Sequence, residues 1–427
     1  MRQILKPHPI CGEIVAPPSK SVSHRMVMAA ALAKGESTVH HVLLSEDLKA
    51  TCAAMEALGA HIESAAESRG LVTLTIRGCD RPKAAAGATI YCRESGSTLR
   101  FMLPLAGMHA RDLHITGEGR LSERPLGPFR ENFTAHGVQW TAPENRELPL
   151  TLNGGLQPGH FLLPGNLSSQ FITGLLFALP LLDGDSTIDV ITEMESAPYV
   201  AITLAVLGQA GIVVDASADF RHYRIAGGQH YAPGVFTVEG DYSQAAFWLA
   251  IGVLSGPVTC RGLLFDSAQG DARVVDWMRE MGGDITRTAD GFCARPSRLR
   301  GIEMNVSQCP DLVPVLAVLA AAASGTSRIV GAGRLRLKES DRLAAMTTVL
   351  TALGADVKEK PEGLVIRGGR PLKGGRVSSF NDHRVAMALA TASTVCAAPV
   401  VLDGAEAVQK SYPQFWEDFV KMGGQLA

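Results

Sequence analysis

The sequence predicts an α/β fold of two domains, and three observations lead to that class. A short signature recurs six times, as MEALGAHI, FTAHGVQW, LGQAGIVV, MREMGGDI, LTALGADV and VKMGGQL, with its glycine at Gly59, Gly137, Gly211, Gly282, Gly354 and Gly423. An apolar helix precedes each copy by about forty residues, so the period of roughly seventy marks a sixfold internal repeat. Periodicity breaks at IVAPPSKS, around Pro17 and Pro18, and at FTVEGDYS, around Gly240. Consecutive prolines disfavour helix and strand interiors, which makes these stretches the natural crossings between domains.

Each signature glycine follows an i, i+3, i+4 apolar pattern and precedes alternating residues, as a left-handed helix stop before a strand requires. The apolar helices begin at Ser21, Ser97, Ser169, Ser243, Asp311 and Asp382, residue types that cap helix N-termini. A unit therefore reads helix, strand, exposed helix, strand, strand. Runs such as LLFALPLL and VLAVLAAAA are apolar around most of the helix, which places these helices in the middle of their domain. Six buried helices exceed one compact core, so three units form each domain. The first domain spans residues 20–237, and the second joins 1–19 to 238–427.

A chain of 427 residues with 46% apolar and 19% charged residues is globular, and its net charge of −2 argues against a nucleic-acid coat or a polybasic membrane binder. The longest apolar runs fall short of the roughly 18 residues of a membrane span, and the N-terminal residues lack the apolar stretch of a secretion signal. A cytoplasmic protein is expected. Its eight cysteines include no Cys-x-x-Cys pair and no clustered His, so neither a zinc site nor a disulfide framework is expected. His40 and His41 fall in an alternating stretch, where they should point to opposite faces and play a structural part.

Three parallel buried helices would present their N-termini, with unpaired N–H groups and partial positive charge, on one face. Two such faces opposed would form an anion-binding cleft between the domains. Basic and polar residues collect at these starts: Lys20, Ser21, Ser23 and Arg25; Ser95, Gly96, Ser97 and Arg100; Ser168, Ser169 and Gln170; Asn381, Asp382, His383 and Arg384. Capping accounts for the serines and acids. Cations in the first turn oppose the macrodipole unless an anion lies beside them, which makes Lys20, Arg25, Arg100 and Arg384 candidate ligand contacts.

A second set opens the exposed helices at matching distances from the signature glycine: Arg124, Ser196, Glu339, Arg342 and Lys410. In the KESDR segment Glu339 is a candidate proton donor and Arg342 a bidentate clamp for carboxylate or phosphate. The plain alternatives are i, i+3 salt bridges for that segment and a helix cap for Asp311 after Pro310.

The segments PSKSVSHR, GSTLR, SERP, SSQF, SAPY, PDLVP, KESDR, NDHRVAM and QKSYP together resemble the 5-enolpyruvylshikimate-3-phosphate synthase family, in order and spacing, over essentially the whole chain. The resemblance implies two domains of three βαβαββ units each, an inside-out α/β barrel with buried parallel helices and a ligand cleft. It implies transfer of the enolpyruvyl group of phosphoenolpyruvate to the 5-hydroxyl of shikimate 3-phosphate with release of phosphate, with no cofactor and no metal; a monomer is expected. Shikimate 3-phosphate would meet Lys20, Ser21, Arg25, Ser168, Ser169, Gln170, Ser196, Tyr199, Asp311 and Lys338. Phosphoenolpyruvate would meet Lys20, Gly96, Arg124, Gln170, Arg342, Arg384 and Lys410. Asp311 would be the hydroxyl base, assisted by Lys20, and Glu339 the carbon acid.

The chain departs from the family's usual residues in three places. Glu94 and Ser95 precede Gly96 where Asn-Ala is frequent, Phe101 replaces a frequent proline, and Arg334 stands at a common asparagine. These bear on the phosphoenolpyruvate pocket and on sensitivity to the family's inhibitor glyphosate. A related family, UDP-N-acetylglucosamine enolpyruvyltransferase, places a reactive cysteine in the second unit, and the matching stretch HARDLHITGEGRLSERP has none. A non-catalytic anion-binding repeat protein would have no need of Lys20, Asp311 and Glu339 together.

Overall fold

A computed structural model describes residues 1–427. The chain forms two compact units, Lys20–Val238 and Met1–Ser19 joined to Glu239–Ala427. In the first, the helices are α1 (Lys20–Leu32), α2 (Glu46–Ala57), α3 (Gly96–Gly107), α4 (Gly127–Ala135), α5 (Ser169–Ala178) and α6 (Ala197–Gln209). In the second they are α7 (Tyr242–Leu254), α8 (Arg273–Glu280), α9 (Val313–Ala322), α10 (Arg342–Ala352), α11 (His383–Ser393) and α12 (Phe415–Lys421).

The odd-numbered helices are buried because apolar or small residues surround them on all sides. Every residue of α11 and nearly every residue of α7 is shielded from water. The even-numbered helices are the outer ones. In α8 the residues Val274, Val275, Trp277 and Met278 face inward, while Arg273 and Asp276 pair at 3.2 Å on the outside.

Six four-stranded sheets surround these helices, each with one parallel pair and two antiparallel pairs. Within a unit the order is βαβαββ, as in Thr89–Tyr91, α3, Ala110–Thr116, α4, Val138–Thr141 and Leu150–Gly154. Three sheets are closed by distant chain segments, and in one of them Arg2–Lys6 pairs antiparallel with Val400–Asp403 and with Gln425–Leu426. Val235–Thr237 pairs in parallel with Glu36–Val42, supplying the strand that precedes α1 in space, and Gly12–Val15 does the same for Val258–Arg261. The two crossings of the chain lie side by side: Ser19 N donates to Glu239 O at 2.7 Å and Asp241 N to Pro17 O at 2.8 Å.

All six signature glycines have positive φ, between 78° and 107°, as left-handed helix stops. The strict alternation expected at His40 and His41 does not hold. His41 has φ 58° at an irregularity in the pairing between Val39 and Val42, so both imidazoles turn toward Glu67, at 4.0 and 3.8 Å. No helix is long and apolar enough to cross a membrane.

Candidate active site

The unit Lys20–Val238 gathers the expected residues of its three buried helices. Lys20 is the first residue of α1, and its Nζ lies 2.6 Å from Asp47 Oδ2. Arg25 and Arg100 are not in first turns as expected; they sit one turn inside α1 and α3, where the macrodipole contributes less. Arg25 is 2% exposed. Its Nε donates to Thr203 Oγ1 at 2.8 Å, Nη1 to Ser21 O at 2.7 Å, and Nη2 to Tyr199 O at 3.0 Å and Thr173 Oγ1 at 3.4 Å. All four acceptors are neutral, and burial pushes the guanidinium down to about 9.

Ser95 rather than Ser97 caps α3, its Oγ accepting from Thr98 N at 3.1 Å. Gly96 gives access to that N-terminus, and the side chain that uses the access is Arg124. A Cβ on Gly96 would lie 2.3 Å from Arg124 Nη1, so the glycine lets the guanidinium rest on the helix start. Glu94, a departure from the family pattern, has its carboxylate against Gly119 in the short helical turn Gly119–Glu123. Gln170 joins two helices, accepting from Arg100 Nη1 at 2.9 Å and donating to Ser97 Oγ at 2.9 Å. Ser168 caps α5, with Oγ 3.3 Å from Gln170 N, and Ser169 is its buried first residue. Ser196 opens α6 in a left-handed conformation (φ 55°), a strained position for a residue with a Cβ.

The second unit holds a cluster of opposite charges. Arg342, 1% exposed, donates from Nε to Asp382 at 2.8 Å, from Nη1 to Asp311 at 2.8 Å and from Nη2 to Glu339 at 2.9 Å. The three carboxylates raise its pKa against the opposing effect of burial. The guanidinium expected to clamp a ligand thus carries a protein carboxylate on each of its three nitrogens. Asp311 is not a helix cap: it lies in the turn Pro310–Leu312, accepts from Arg342 and from Arg384 at 2.9 Å, and forms an ion pair with Lys338 at 3.7 Å. The KESDR segment does contain the i, i+3 pair Glu339–Arg342, and its Asp341 caps α10. Lys410 donates to Asn381 O at 2.7 Å, and Phe380 and Asn381 are both left-handed just before Asp382, the cap of α11.

Asp47 and Asp271 carry no sequence signal that marks them as site residues, and Asp382 carries only that of a cap. An acid at a helix start is already explained by capping and the macrodipole, so no signal remained to mark a second duty. Asp271 is 3% exposed and accepts from Ser243, the residue expected to begin α7, which Asp241 caps instead. Burial first, then Asp311, push its carboxyl up to about 6.

One unit thus holds a buried cation among neutral oxygens and the other a guanidinium ringed by carboxylates. The family model described as EPSP synthase (3-phosphoshikimate 1-carboxyvinyltransferase) matches residues 4–419. A 3-phosphoshikimate 1-carboxyvinyltransferase of Clostridium kluyveri is 46% identical over 99% of this chain and 97% of its own length. One of Clostridium acetobutylicum is 45% identical over 99% and 98%. A solved EPSP synthase from Acinetobacter baumannii, 28% identical, superposes with a TM-score of 0.81 over 100% of this chain and 99% of that one. With the family pattern met along nearly its whole length and such identity to named members, this chain belongs to the EPSP synthase family.

Proposed function

We propose that this chain transfers the enolpyruvyl group of phosphoenolpyruvate to the 5-hydroxyl of shikimate 3-phosphate and releases phosphate, the reaction of its family. The observation that carries the reading is Arg25, a buried guanidinium whose protein partners are all neutral oxygens. Such a cation favours an anion beside it, and the 3-phosphate supplies one. Ser21, Ser168, Ser169, Gln170, Ser196 and Tyr199 complete the receptor for that substrate, with Asp311 and Lys338 at its reacting hydroxyl. Phosphoenolpyruvate draws on Lys20, Gly96, Arg124, Gln170, Arg342, Arg384 and Lys410.

The reaction is an addition followed by an elimination. Glu339 protonates the methylene carbon of phosphoenolpyruvate, which makes the central carbon electrophilic. Asp311, with help from Lys20, takes the proton of the 5-hydroxyl as its oxygen adds to that carbon. Loss of a proton from the new methyl group then expels phosphate and restores the double bond. Asp311 and Glu339 sit on adjacent nitrogens of Arg342, so one guanidinium holds base and acid at a set spacing. In this reading Arg342 orders the proton-transfer groups as well as contacting the substrate.

The reaction is assigned to the cytoplasm and to a monomer. All eight cysteines are free, in keeping with a reducing compartment. Incubation with both substrates should release phosphate in proportion to enolpyruvyl product, and UDP-N-acetylglucosamine should not replace shikimate 3-phosphate. Absence of phosphate release, or equal use of the nucleotide sugar, would refute the proposal.

A further inference from the structure

Phe101 occupies a position where the family frequently has proline, and the reaction above gives it no part. The structure puts its ring, 1% exposed, under the buried guanidinium of Arg25, with Cζ 5.1 Å from the ring centroid. Arg25 has five N–H donors and makes four hydrogen bonds, all to neutral oxygens, so the ring face supplies negative potential that no carboxylate provides. The ring is itself braced. His24 meets it edge to face at 6.3 Å and 83°. The same imidazole bonds Thr51 Oγ1 at 2.7 Å, which bonds Thr98 Oγ1 at 2.7 Å, one turn from Phe101 on α3. Arg100 of α3 likewise stands 5.1 Å over the ring of Phe171 on α5, so a buried arginine on the next helix's phenylalanine occurs twice in the unit.

We infer that Phe101 is a positioning residue whose ring face holds the Arg25 guanidinium in place for the phosphate of the phosphorylated substrate. The inference rests on the reading of Arg25 as that phosphate's partner. A ring face can stabilise a buried cation without neutralising it. A carboxylate in the same place would compete with the incoming phosphate; the quadrupole of a phenyl ring leaves the full charge available. Phe101 thereby reconciles two opposing demands, that Arg25 stay ordered in a dry site and that it remain attractive to an anion.

The experiment is a fluorination series in the full-length protein. Phenylalanine, 4-fluoro- and 3,4,5-trifluorophenylalanine at position 101 have nearly the same shape but a progressively weaker negative face. Shikimate 3-phosphate affinity by titration calorimetry should fall stepwise along the series, toward the roughly tenfold loss expected of Phe101→Leu. The kcat and the KM for phosphoenolpyruvate should move less than twofold. In an Arg25→Met background the dependence on fluorination should disappear. Affinity that is flat across the series, or a fluorination effect that persists without Arg25, would overturn the inference. If Arg25→Met alone leaves affinity unchanged, it is the assignment of Arg25 that fails. If Arg25→Met abolishes binding and the series is flat, Phe101 is core packing and the assignment of Arg25 survives.

Discussion

Replacing Arg25 by methionine removes a charge from the core while nearly conserving volume, and the structure sets both consequences. Burial holds the guanidinium well below its ordinary range, and taking the charge out of water costs several kcal/mol, about 5 in order of magnitude. Against this stand four hydrogen bonds to neutral oxygens, each contributing about 1 kcal/mol net. Three of the acceptors keep a bond without the arginine, since Thr173 and Thr203 already share one at 2.8 Å and Thr203 Oγ1 donates to Tyr199 O at 3.0 Å. The opposing effects nearly cancel, so unfolding of the ligand-free protein should change by no more than about 2 kcal/mol in either direction. Substrate binding has no such compensation. Loss of a buried charged partner costs about 2–5 kcal/mol, so the dissociation constant of shikimate 3-phosphate should rise about 30- to 5,000-fold. Thermal scans with and without ligand test both halves, because shikimate 3-phosphate should raise the melting temperature of the parent protein and not of the variant. An Arg25→Met protein that binds within threefold of the parent would refute the reasoning. So would one whose ligand-free form is destabilised by much more than the expected margin, since Arg25 would then serve the fold.

Glu339→Gln keeps size and the contact to Arg342 while removing the acid, so kcat should fall by about 10² to 10⁴ with little change in substrate dissociation constants; near-normal single-turnover rates would move the carbon acid elsewhere. Asp271 binds its proton more tightly folded than unfolded, so its contribution to stability is complete below about pH 4 and is lost as pH rises through about 6. Asp271→Asn should therefore be about 3 kcal/mol more stable than the parent at pH 8 and equal to it below pH 4, as read from urea unfolding across that range. Asp382→Asn preserves the cap of α11 but removes one charge from Arg342, and should cost about 3 kcal/mol of stability. Gly174→Ala would put a Cβ 2.4 Å from the carbonyl oxygen of Arg100, forcing α3 and α5 apart, and should cost about 1–3 kcal/mol with a lower melting temperature as the readout.

Much of this protein is legible in its sequence because the repeat is written in local signals. A glycine stop, a capping residue and an all-round apolar helix each depend on a few consecutive residues, and six copies in step leave one architecture. The same locality hides the site. Arg25 meets Thr173 and Thr203 across 148 and 178 residues, and Phe101 lies on another helix, so nothing around position 25 announces a buried cation among neutral oxygens. Asp311 looked like a cap because a cap is what an acid after proline does in isolation; packing α9, α10 and α11 together put Arg342, Arg384 and Lys338 around it. Gly96 marked a close approach, and only the fold showed that Arg124 makes it. The sequence by itself determined the repeated element order, since backbone conformation answers to neighbours along the chain. Tertiary structure decided the electrostatics, since a charge's energy depends on burial and on partners that the chain brings together only when it folds.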